Sequence, residues 1–186
     1  MCGIALLLGA QLTPEDRRAF EAMAAGIVQR GESLEQELGT DALLATSRLK
    51  IVDRDRALQP WQASSGQHAL CYNGEVFNHA ELRERLQAEG VALRSESDTE
   101  VVVEAWLAWG EQALLEFRGE FAFAVFDHAT GDAFVARDPA GIKPLYWARS
   151  DDRLYLASEI KSLAGLGLAI EEVPPGHCGT AAPGRD

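Results

Sequence analysis

The sequence predicts an α+β fold built from layers of antiparallel strands and helices. Its first segment, Cys2 to Leu8, is a short apolar run that suits a buried strand and is too short for a convincing helix. In Phe121 to Phe126 every side chain is apolar, which indicates that both faces of that strand are covered, one by helices and one by a second sheet. Two helical segments lie between these groups of strands. A layered sandwich fits this order of elements.

Three helices are predicted, and each begins at a capping residue. Thr13 is followed by a proline and should cap the first helix. Asn78 and Glu81 have the spacing of a capping box and should begin the second helix. Ser97 and Glu100 have the same spacing and should begin the third. The first helix should bury one apolar stripe, which consists of Phe20, Met23, Ala24, Ile27 and Val28.

Further strands are predicted on both sides of the second and third helices. Ala42 to Val52 is apolar and rich in strand-forming residues. Ala69 to Tyr72 is a shorter strand candidate that ends at the turn dipeptide Asn73-Gly74. The segments that follow Phe126 should form antiparallel hairpins. These segments are Ala133 to Arg137, Leu145 to Ala148 and Leu154 to Ala157.

The end of the chain is predicted to leave the folded domain. Glu159 to Leu163 should add one helical turn, and the segment after residue 170 contains Pro174 and Pro175 followed by a glycine. We therefore assign residues 1–170 to one domain and residues 171–186 to a tail or linker.

Charge and composition argue against several classes of protein. The chain has 17 Lys and Arg against 29 Asp and Glu, and its net charge of −12 opposes attraction to nucleic acid and to anionic membranes. The apolar start lacks a basic region and is too short to span a bilayer, so it matches neither a signal peptide nor an anchor. The three cysteines provide no disulfide framework, and no His or Cys spacing indicates a metal site. We expect a reduced, cytoplasmic chain without a metal.

The cysteine at position 2 is a candidate nucleophile. Removal of Met1, which is usual before a small residue, would leave the Cys2 thiol and a free α-amino group on the same residue. An α-amino group titrates near ~8, so at neutral pH it can be partly uncharged and can accept a proton from the thiol. Position alone does not decide the matter, because a cysteine can stand second in a chain without any role.

Eight separated motifs extend the interpretation of Cys2. They are Met1 to Ile4, Ser47 to Asp53, Gln59-Pro60, Tyr72 to His79, Ser97 to Glu100, Phe121 to Asp127, Ala136 to Tyr146 and Ala157 to Lys161. In this order they resemble the glutaminase domain of class II glutamine amidotransferases, which are N-terminal nucleophile hydrolases. The resemblance is greatest to the N-terminal half of glutamine-hydrolysing asparagine synthetases, and it covers residues 1 to about 176.

The resemblance implies a fold and a reaction. The fold is a four-layer αββα sandwich of two antiparallel sheets. In the reaction, a Cys2 thiolate attacks the side-chain amide of L-glutamine and forms a γ-glutamyl thioester, which releases ammonia and then glutamate. The family uses no cofactor for this half-reaction. ATP and Mg²⁺ are expected only in a separate or missing synthetase domain, and a separate ATP-dependent synthetase subunit is one candidate acceptor of the ammonia.

The resemblance also implies roles for particular residues. The side-chain amide of Asn73 and the backbone N–H of Gly74 would stabilise the oxyanion. Arg48 would bind the glutamine carboxylate and Asp98 its ammonium group. The rest of the glutamine pocket would be lined by Leu49, Ile51, Val52, Gly74 and Glu75.

Each of these roles has a plainer alternative that the residue types leave open. Asn73 and Gly74 also suit an ordinary turn. Asp98 also suits the N-terminus of a helix, and Arg48 could form a surface ion pair.

Two departures from the family pattern keep other functions open. Gln29 to Ser33 stands where the family has His-Arg-Gly-Pro-Asp, and loss of that proline predicts a more mobile loop and weaker coupling to an ammonia acceptor. No phosphate-binding glycine loop occurs in the 186 residues, so we do not expect this chain alone to make asparagine. It could be a stand-alone subunit, an excerpt of a longer protein or the product of a shortened gene. The alternatives are a catalytically silent partner-binding module and an N-terminal cysteine hydrolase for another amide.

Overall fold

Two antiparallel sheets lie face to face between two layers of helices. The computed structural model describes residues 1–49, 58–150 and 152–184. The first sheet has the order β10 (Glu171–Glu172), β8 (Tyr146–Arg149), β9 (Leu154–Ala157), β1 (Gly3–Leu8), β3 (Ala42–Arg48) and β2 (Ser33–Leu38). The second has the order β11 (Cys178–Ala181), β7 (Ala133–Arg137), β6 (Gly119–Asp127), β5 (His68–Val76) and β4 (Trp61–Gln62).

The helices cover the outer face of each sheet. Two of them, α1 (Pro14–Ala25) and α5 (Ile160–Ala164), pack on the first sheet. The other three are α2 (His79–Ala88), α3 (Asp98–Trp109) and the single turn α4 (Ala113–Glu116), and they cover the second sheet. Short 3₁₀ turns at Val28–Arg30 and Gly110–Gln112 follow α1 and α3. The predicted αββα order of layers is confirmed.

Three apolar clusters fill the spaces between the four layers. The cluster between the two sheets contains alternate residues of β1 and β6, including Ile4, Leu6, Ala122 and Ala124. The next residues along β1, Ala5 and Leu7, instead pack beneath α1. Because neighbouring side chains of a strand point to opposite faces, a strand that is covered on both sides must be apolar throughout. This is the reason for the unbroken apolar runs in the sequence.

Local sequence signals predict the helix starts correctly, although neither of the two predicted capping boxes forms. Thr13 caps α1 and makes a complete box with Asp16. Asn78 precedes α2, but its side chain bonds to the backbone of residues 116 and 118 instead. The Glu100 carboxylate accepts hydrogen bonds from backbone N–H groups at 94 and 95, while Ser97 alone caps α3. Val28, predicted to be buried, is exposed.

One predicted turn is wrong. Strand β5 continues through Asn73 and Gly74 to Val76, and nine consecutive residues pair with β6. Asn73 lies opposite Ala122 in this ladder. The long pairing with a central strand overrides the local preference of Asn-Gly for a turn.

The segment after residue 170 adds an edge strand to each sheet. Strand β10 pairs with β8 of the first sheet, and β11 pairs with β7 of the second. Val173 and Ala181 also pack against the apolar cluster between the sheets. The division of the chain at residue 170 remains a prediction. None of the helices in residues 1–49, 58–150 and 152–184 is long and apolar enough to cross a membrane.

Asp16→Asn is expected to lower the free energy of unfolding by about 1 kcal/mol at pH 7, because Asp16 closes the α1 cap. Its Oδ2 accepts hydrogen bonds from Thr13 N at 2.7 Å and from Arg153 Nη2 at 3.1 Å. Burial acts to raise the pKa of Asp16, but hydrogen bonds from Arg153 and Thr13 outweigh it and lower the pKa below its ordinary value of 3.8.

A carboxyl group with a lowered pKa stabilises the fold above its unfolded-state pKa and loses that contribution as the pH falls through the folded-state value. The stability difference between Asp16→Asn and the wild type should therefore shrink as the pH falls below about 3.8. Urea unfolding at several pH values measures it. Glu15→Gln, which removes an exposed carboxylate from the same helical turn, is the control. Equal effects of the two substitutions would contradict the prediction.

Candidate active site

A pocket of about 170 Å³ opens where β1 begins and β3 ends, beside the second half of β5. Cys2 lies at its mouth and Asp98, the first residue of α3, at another wall. The lining residues come from both sheets and from the loops that connect them. They are Met1, Cys2, Arg48, Leu49, Gln59, Tyr72, Asn73, Gly74, Glu75, Ser97, Asp98, Thr99, Glu120 and Lys143.

Cys2 is held in place by the pairing of β1 with β3. The register places Gly3 opposite Ser47, so the residue before β1 lies beside the end of β3, where Arg48 and Leu49 follow. The Leu49 N–H donates to Cys2 Sγ at 3.4 Å, and Sγ lies 3.9 Å from the Leu49 carbonyl oxygen. Cys2 Sγ therefore contacts both the backbone donor and the backbone acceptor of Leu49.

Arg30 holds the backbone of Cys2 from the other side. Its Nε donates to the Cys2 carbonyl oxygen at 2.7 Å, and its Nη1 bonds to Glu159 at 2.5 Å. The next residue, Gly31, packs so closely that a Cβ would lie 2.6 Å from the Arg48 backbone. The Gln29 to Ser33 segment thus contacts both Cys2 and Arg48, and its mobility in solution stays a prediction.

The side-chain amide of Asn73 is buried at the pocket. Its same-face neighbours on β5, Ala69 and Cys71, lie in the cluster between the sheets, so its side chain points toward the sheet that holds Cys2. Both Nδ2 and Oδ1 are buried and have no hydrogen-bond partner among the residues that the structure describes. Such a group costs roughly 1–3 kcal/mol to leave unpaired. A buried donor that lines a pocket indicates a ligand that would complete it.

Gly74 brings a backbone N–H to the pocket. Successive residues of a strand direct their N–H groups to opposite edges, and the N–H groups of Tyr72 and Val76, two residues before and after Gly74, leave β5 on the edge away from β6. The Gly74 N–H is therefore directed to that same edge. A Cβ at this position would lie 2.5 Å from the Glu120 carbonyl oxygen, so close packing on β6 requires glycine. The structural reason for Gly74 is thus its contact with a neighbouring strand.

Asp98 presents a buried carboxylate at the N-terminus of α3. Ser97 caps the helix with a hydrogen bond from Thr99 N at 3.2 Å. The Asp98 Oδ2 accepts from the Tyr72 hydroxyl at 2.8 Å and from Val76 N at 3.1 Å. Burial, and then the Asp98 carboxylate, raise the pKa of Tyr72 well above its ordinary value, so the hydroxyl stays protonated and donates.

An ion pair between Lys143 and Glu120 forms another wall of the pocket. Lys143 Nζ donates to Glu120 Oε1 at 2.6 Å, and the lysine side chain is almost fully buried. The loop that carries Lys143 is organised by Asp138, whose carboxylate accepts four backbone hydrogen bonds of 3.0–3.3 Å. The donors are the N–H groups of Phe121, Ala140, Ile142 and Lys143. This wall is thus held rigid by a charge that is fully buried.

The pocket brings together seven of the nine predicted site residues, and their roles remain predictions. These seven are Cys2, Arg48, Leu49, Asn73, Gly74, Glu75 and Asp98. The other two, Ile51 and Val52, lie outside the described residues. Arg48 is almost fully buried, which does not fit the alternative of a surface ion pair. Asp98 does lie at a helix N-terminus, and it faces the pocket as well.

Several lining residues were not assigned a role from the sequence. Tyr72 and Gln59 belong to the matching motifs, but nothing in their spacing shows that each contacts the other or the first turn of α3. Glu120 and Lys143 are distant in sequence and meet only in the folded chain. No histidine lines the pocket among the residues described. Within the same residues, no group of three or more His, Cys, Asp or Glu side chains could hold a metal ion.

Comparison with known proteins identifies the family of this chain. Residues 1–175 match the model of the glutamine amidotransferase domain. The chain belongs to this family. The amidotransferase domain is also 32% identical over 168 residues to asparagine synthetase (glutamine-hydrolyzing) 3 of Bacillus subtilis, an alignment that covers 88% of this chain and 27% of that protein. Against asparagine synthetase B of Escherichia coli the identity is 36% over 137 residues, or 73% of this chain and 24% of the relative.

A third relative extends the alignment of the amidotransferase domain to nearly the whole chain. It is the probable asparagine synthetase of Dictyostelium discoideum, with 31% identity over 95% of this chain and 32% of that protein. The chain thus spans about a quarter to a third of the length of these relatives.

Solved structures show the same fold at lower identity. An allosteric regulatory enzyme of purine biosynthesis superposes with a TM-score of 0.76 and 20% identity, over 96% of this chain and 46% of that one. The glutamine phosphoribosylpyrophosphate amidotransferase of Bacillus subtilis gives 0.72 and 20%, over 97% and 49%. These likenesses confirm the predicted α+β sandwich of the amidotransferase domain.

Gly74→Ala is expected to destabilise the amidotransferase domain by about 1–3 kcal/mol, because the new methyl group would overlap the backbone of β6. Thermal unfolding measures the loss. Gly165→Ala is the matched control, since a Cβ at Gly165 meets no heavy atom within 4 Å and its φ of −73° suits alanine. The control should leave stability within about 1 kcal/mol of the wild type. Equal losses in the two variants would show that the packing of Gly74 on β6 is not what requires glycine.

Proposed function

We propose that this chain hydrolyses L-glutamine to L-glutamate and ammonia through a thioester on Cys2. The observation that carries the proposal is the buried amide of Asn73, which has no hydrogen-bond partner among the described residues and lies in the same pocket as the Cys2 thiol. An amide donor held ready at the pocket matches the need of a reaction that develops negative charge on a carbonyl oxygen. The family match and the asparagine synthetase relatives support glutamine as the source of that carbonyl.

The reaction would begin with transfer of the Cys2 thiol proton. We propose that Met1 is removed, so that the α-amino group of Cys2 becomes the base. The Sγ then bonds to the side-chain amide carbon of glutamine, and the carbonyl π electrons move to its oxygen. Collapse of this tetrahedral intermediate breaks the C–N bond, and the departing ammonia takes the proton back from the α-ammonium group. Water attacks the thioester in the same way and releases glutamate and the thiol.

Two donors on β5 would stabilise the oxyanion. Asn73 offers Nδ2 from the face between the sheets, while Gly74 offers its N–H from the strand edge. Both belong to a strand that pairs with β6 over nine residues, so neither has to move when the charge develops. Donors that are fixed before the reaction stabilise the transition state without any cost of reorganisation.

The charges of the pocket suit an amino acid that carries both an ammonium and a carboxylate. Asp98 is proposed to bind the ammonium group and Arg48 the carboxylate, whose planar shape matches a guanidinium. Glu120 and Lys143 neutralise each other, so they do not compete for the substrate. Leu49, Glu75 and the predicted residues Ile51 and Val52 are proposed to complete the walls.

The ammonia is proposed to serve an asparagine-synthetase-like reaction in the cytoplasm. Support comes from the relatives, which are named as glutamine-hydrolysing asparagine synthetases and are three to four times longer than the matched region. ATP and Mg²⁺ would bind a synthetase domain and not the residues of the pocket described above.

A catalytically silent module explains the pocket less well. A protein that only binds a partner has no need of an amide donor and a thiol in the same pocket, whereas hydrolysis of an amide uses both. The pocket also retains Cys2, Arg48 and Asp98 together. These residues therefore favour an active glutaminase over a catalytically silent module.

Cys2→Ala is expected to abolish glutamate release by the purified protein, because no other thiol can replace the nucleophile. Burial raises the pKa of Cys71 to about 12, so its thiol stays protonated and unreactive at neutral pH. Cys178 is exposed and is not one of the residues that line the pocket, and Cys178→Ser is the matched control.

A glutamine-mimicking electrophile should modify Cys2 in the wild type and in Cys178→Ser but leave Cys71 unmodified. Intact mass of the active form should show that Met1 is absent. Equal glutamate release by Cys2→Ala and the wild type would rule out the proposed nucleophile, and an active protein that retains Met1 would rule out the proposed base.

Asn73→Ala is expected to lower kcat for glutamine by about 100-fold or more without loss of stability. The substitution removes an oxyanion donor, and it also removes a buried polar group that bonds to none of the residues that the structure describes. Steady-state kinetics and thermal unfolding measure the two effects. Asn78→Ala is the contrasting control, because its side chain makes two hydrogen bonds to the loop at 116–118 and should affect stability more than kcat. A normal kcat in Asn73→Ala would remove this residue from the mechanism.

A further inference from the structure

Tyr72 lies beneath the pocket and has no part in the steps proposed above. Its side chain is 2% exposed, and its hydroxyl donates to Asp98 Oδ2 at 2.8 Å. A buried hydroxyl that contacts a carboxylate proposed to bind substrate is well placed to control how that carboxylate is presented.

The two oxygens of Asp98 have different surroundings. Oδ2 receives the Tyr72 hydroxyl and the Val76 N–H, so two donors already occupy it. The partner of Oδ1 within the described part of the chain is Ser97 Oγ at 3.4 Å, which is longer than a normal O–H···O hydrogen bond. Ser97 Oγ is also engaged in the cap of α3. Oδ1 is therefore the oxygen left to accept a strong donor from a ligand.

The position of Tyr72 is fixed through its backbone as well as through its ring. Its N–H donates to Gln59 Oε1 at 2.8 Å, and Gln59 Nε2 reaches Thr99 Oγ1 at 3.4 Å in the first turn of α3. The Tyr72 ring packs in the apolar cluster between the second sheet and its helices. Strand β5 is thus joined to the start of α3 directly at Asp98 and, through Gln59, at Thr99.

We propose that Tyr72 is a positioning residue that determines specificity: by occupying Oδ2 of Asp98, its hydroxyl directs Oδ1 toward the α-ammonium group of the substrate. The pocket would then select amides that carry an α-ammonium group over amides of the same length that lack one. The inference rests on the proposed function, since it requires the glutamine ammonium to bind at Asp98.

The chemistry of the substrate provides a direct test. Glutaramate is glutamine without its α-amino group, so it keeps the scissile amide and the carboxylate but has nothing to bind Asp98. Loss of the Tyr72 hydroxyl frees the carboxylate to turn away from the ammonium group, which weakens glutamine binding and leaves glutaramate unaffected. The ratio of kcat/KM for the two substrates therefore reports on this contact alone.

Tyr72→Phe is expected to raise KM for glutamine about tenfold and to change kcat less than about threefold, because a hydrogen bond to a charged group is lost. The kcat/KM for glutaramate should stay within about twofold of the wild type, so discrimination falls about tenfold by the same reasoning. Tyr155→Phe, which removes a hydroxyl in the layer beneath α1, should leave both substrates unchanged. Equal losses on both substrates, or no change on either, would overturn the proposal.

A double-mutant cycle tests whether Tyr72 acts through Asp98. Asp98→Asn should lose most of the discrimination, and adding Tyr72→Phe should then lower it no further. A further tenfold fall in the double variant would mean that Tyr72 acts independently and would overturn the proposal. Thermal unfolding verifies that each variant is folded. Should Tyr72→Phe be unfolded, Tyr72→Met also lacks the hydroxyl and repeats the measurement.

Binding measurements distinguish failure of the proposed role of Tyr72 from failure of the proposed function. Titration of glutamine and glutaramate into Cys2→Ala measures discrimination without turnover, and the Tyr72→Phe, Cys2→Ala double variant should lose it. If the wild type releases no glutamate but the titrations show the expected loss, the proposed reaction fails and the role of Tyr72 stands. If glutamate is released and the titrations show no loss, only the role of Tyr72 fails.

Discussion

The pairing of β1 with β3 is the interaction on which the pocket depends. It lies inside the six-stranded sheet, between β9 and β2, and its register places Gly3 opposite Ser47. The candidate nucleophile therefore stands beside the residue proposed to bind the substrate carboxylate, although they are 46 positions apart in sequence. A shift of one residue would turn Cys2 to the opposite face of the sheet. The apolar layers on both faces of β1 oppose such a shift, because every side chain of the strand is buried.

The second sheet provides the complementary half of the site from a single strand. Three neighbouring residues of β5 direct different groups in three different directions, and each of these groups contributes to the pocket. The Asn73 side chain faces the first sheet, the Tyr72 side chain faces α3, and the Gly74 N–H points along the sheet edge. The pairing of β5 with β6 fixes all three together. A site assembled on paired strands keeps its geometry better than one assembled on a loop.

The sequence predicted the elements whose signals are local. The strand at Ala133–Arg137 and the strand at Leu154–Ala157 have the expected bounds, because each is a short apolar run between turn residues. Thr13 and Ser97 cap helices as expected, since a cap needs only the residue and the helix that follows it.

What the sequence did not predict depends on contacts between distant residues. The Asn73-Gly74 pair favours a turn by itself and becomes strand only because β6 is present to pair with it. Glu100 was expected to close a capping box, but its carboxylate accepts backbone hydrogen bonds from the loop before the helix. The family motifs brought most of the lining residues into view, whereas the contact of Tyr72 with Asp98 spans 26 positions and leaves no pattern in the sequence.

The chain passes from the first sheet at β10 to the second sheet at β11, and this path has a practical consequence for any attempt to isolate the domain. Strand β10 covers the free edge of β8 in one sheet, and β11 covers that of β7 in the other. A fragment cut at residue 170 would uncover both edges and the apolar side chains between them, among them Val135 and Trp147. Unpaired edges beside apolar surface recruit strands from other molecules. A fragment that ends beyond residue 181 keeps both edges paired. Strands β10 and β11 thus protect the domain against aggregation.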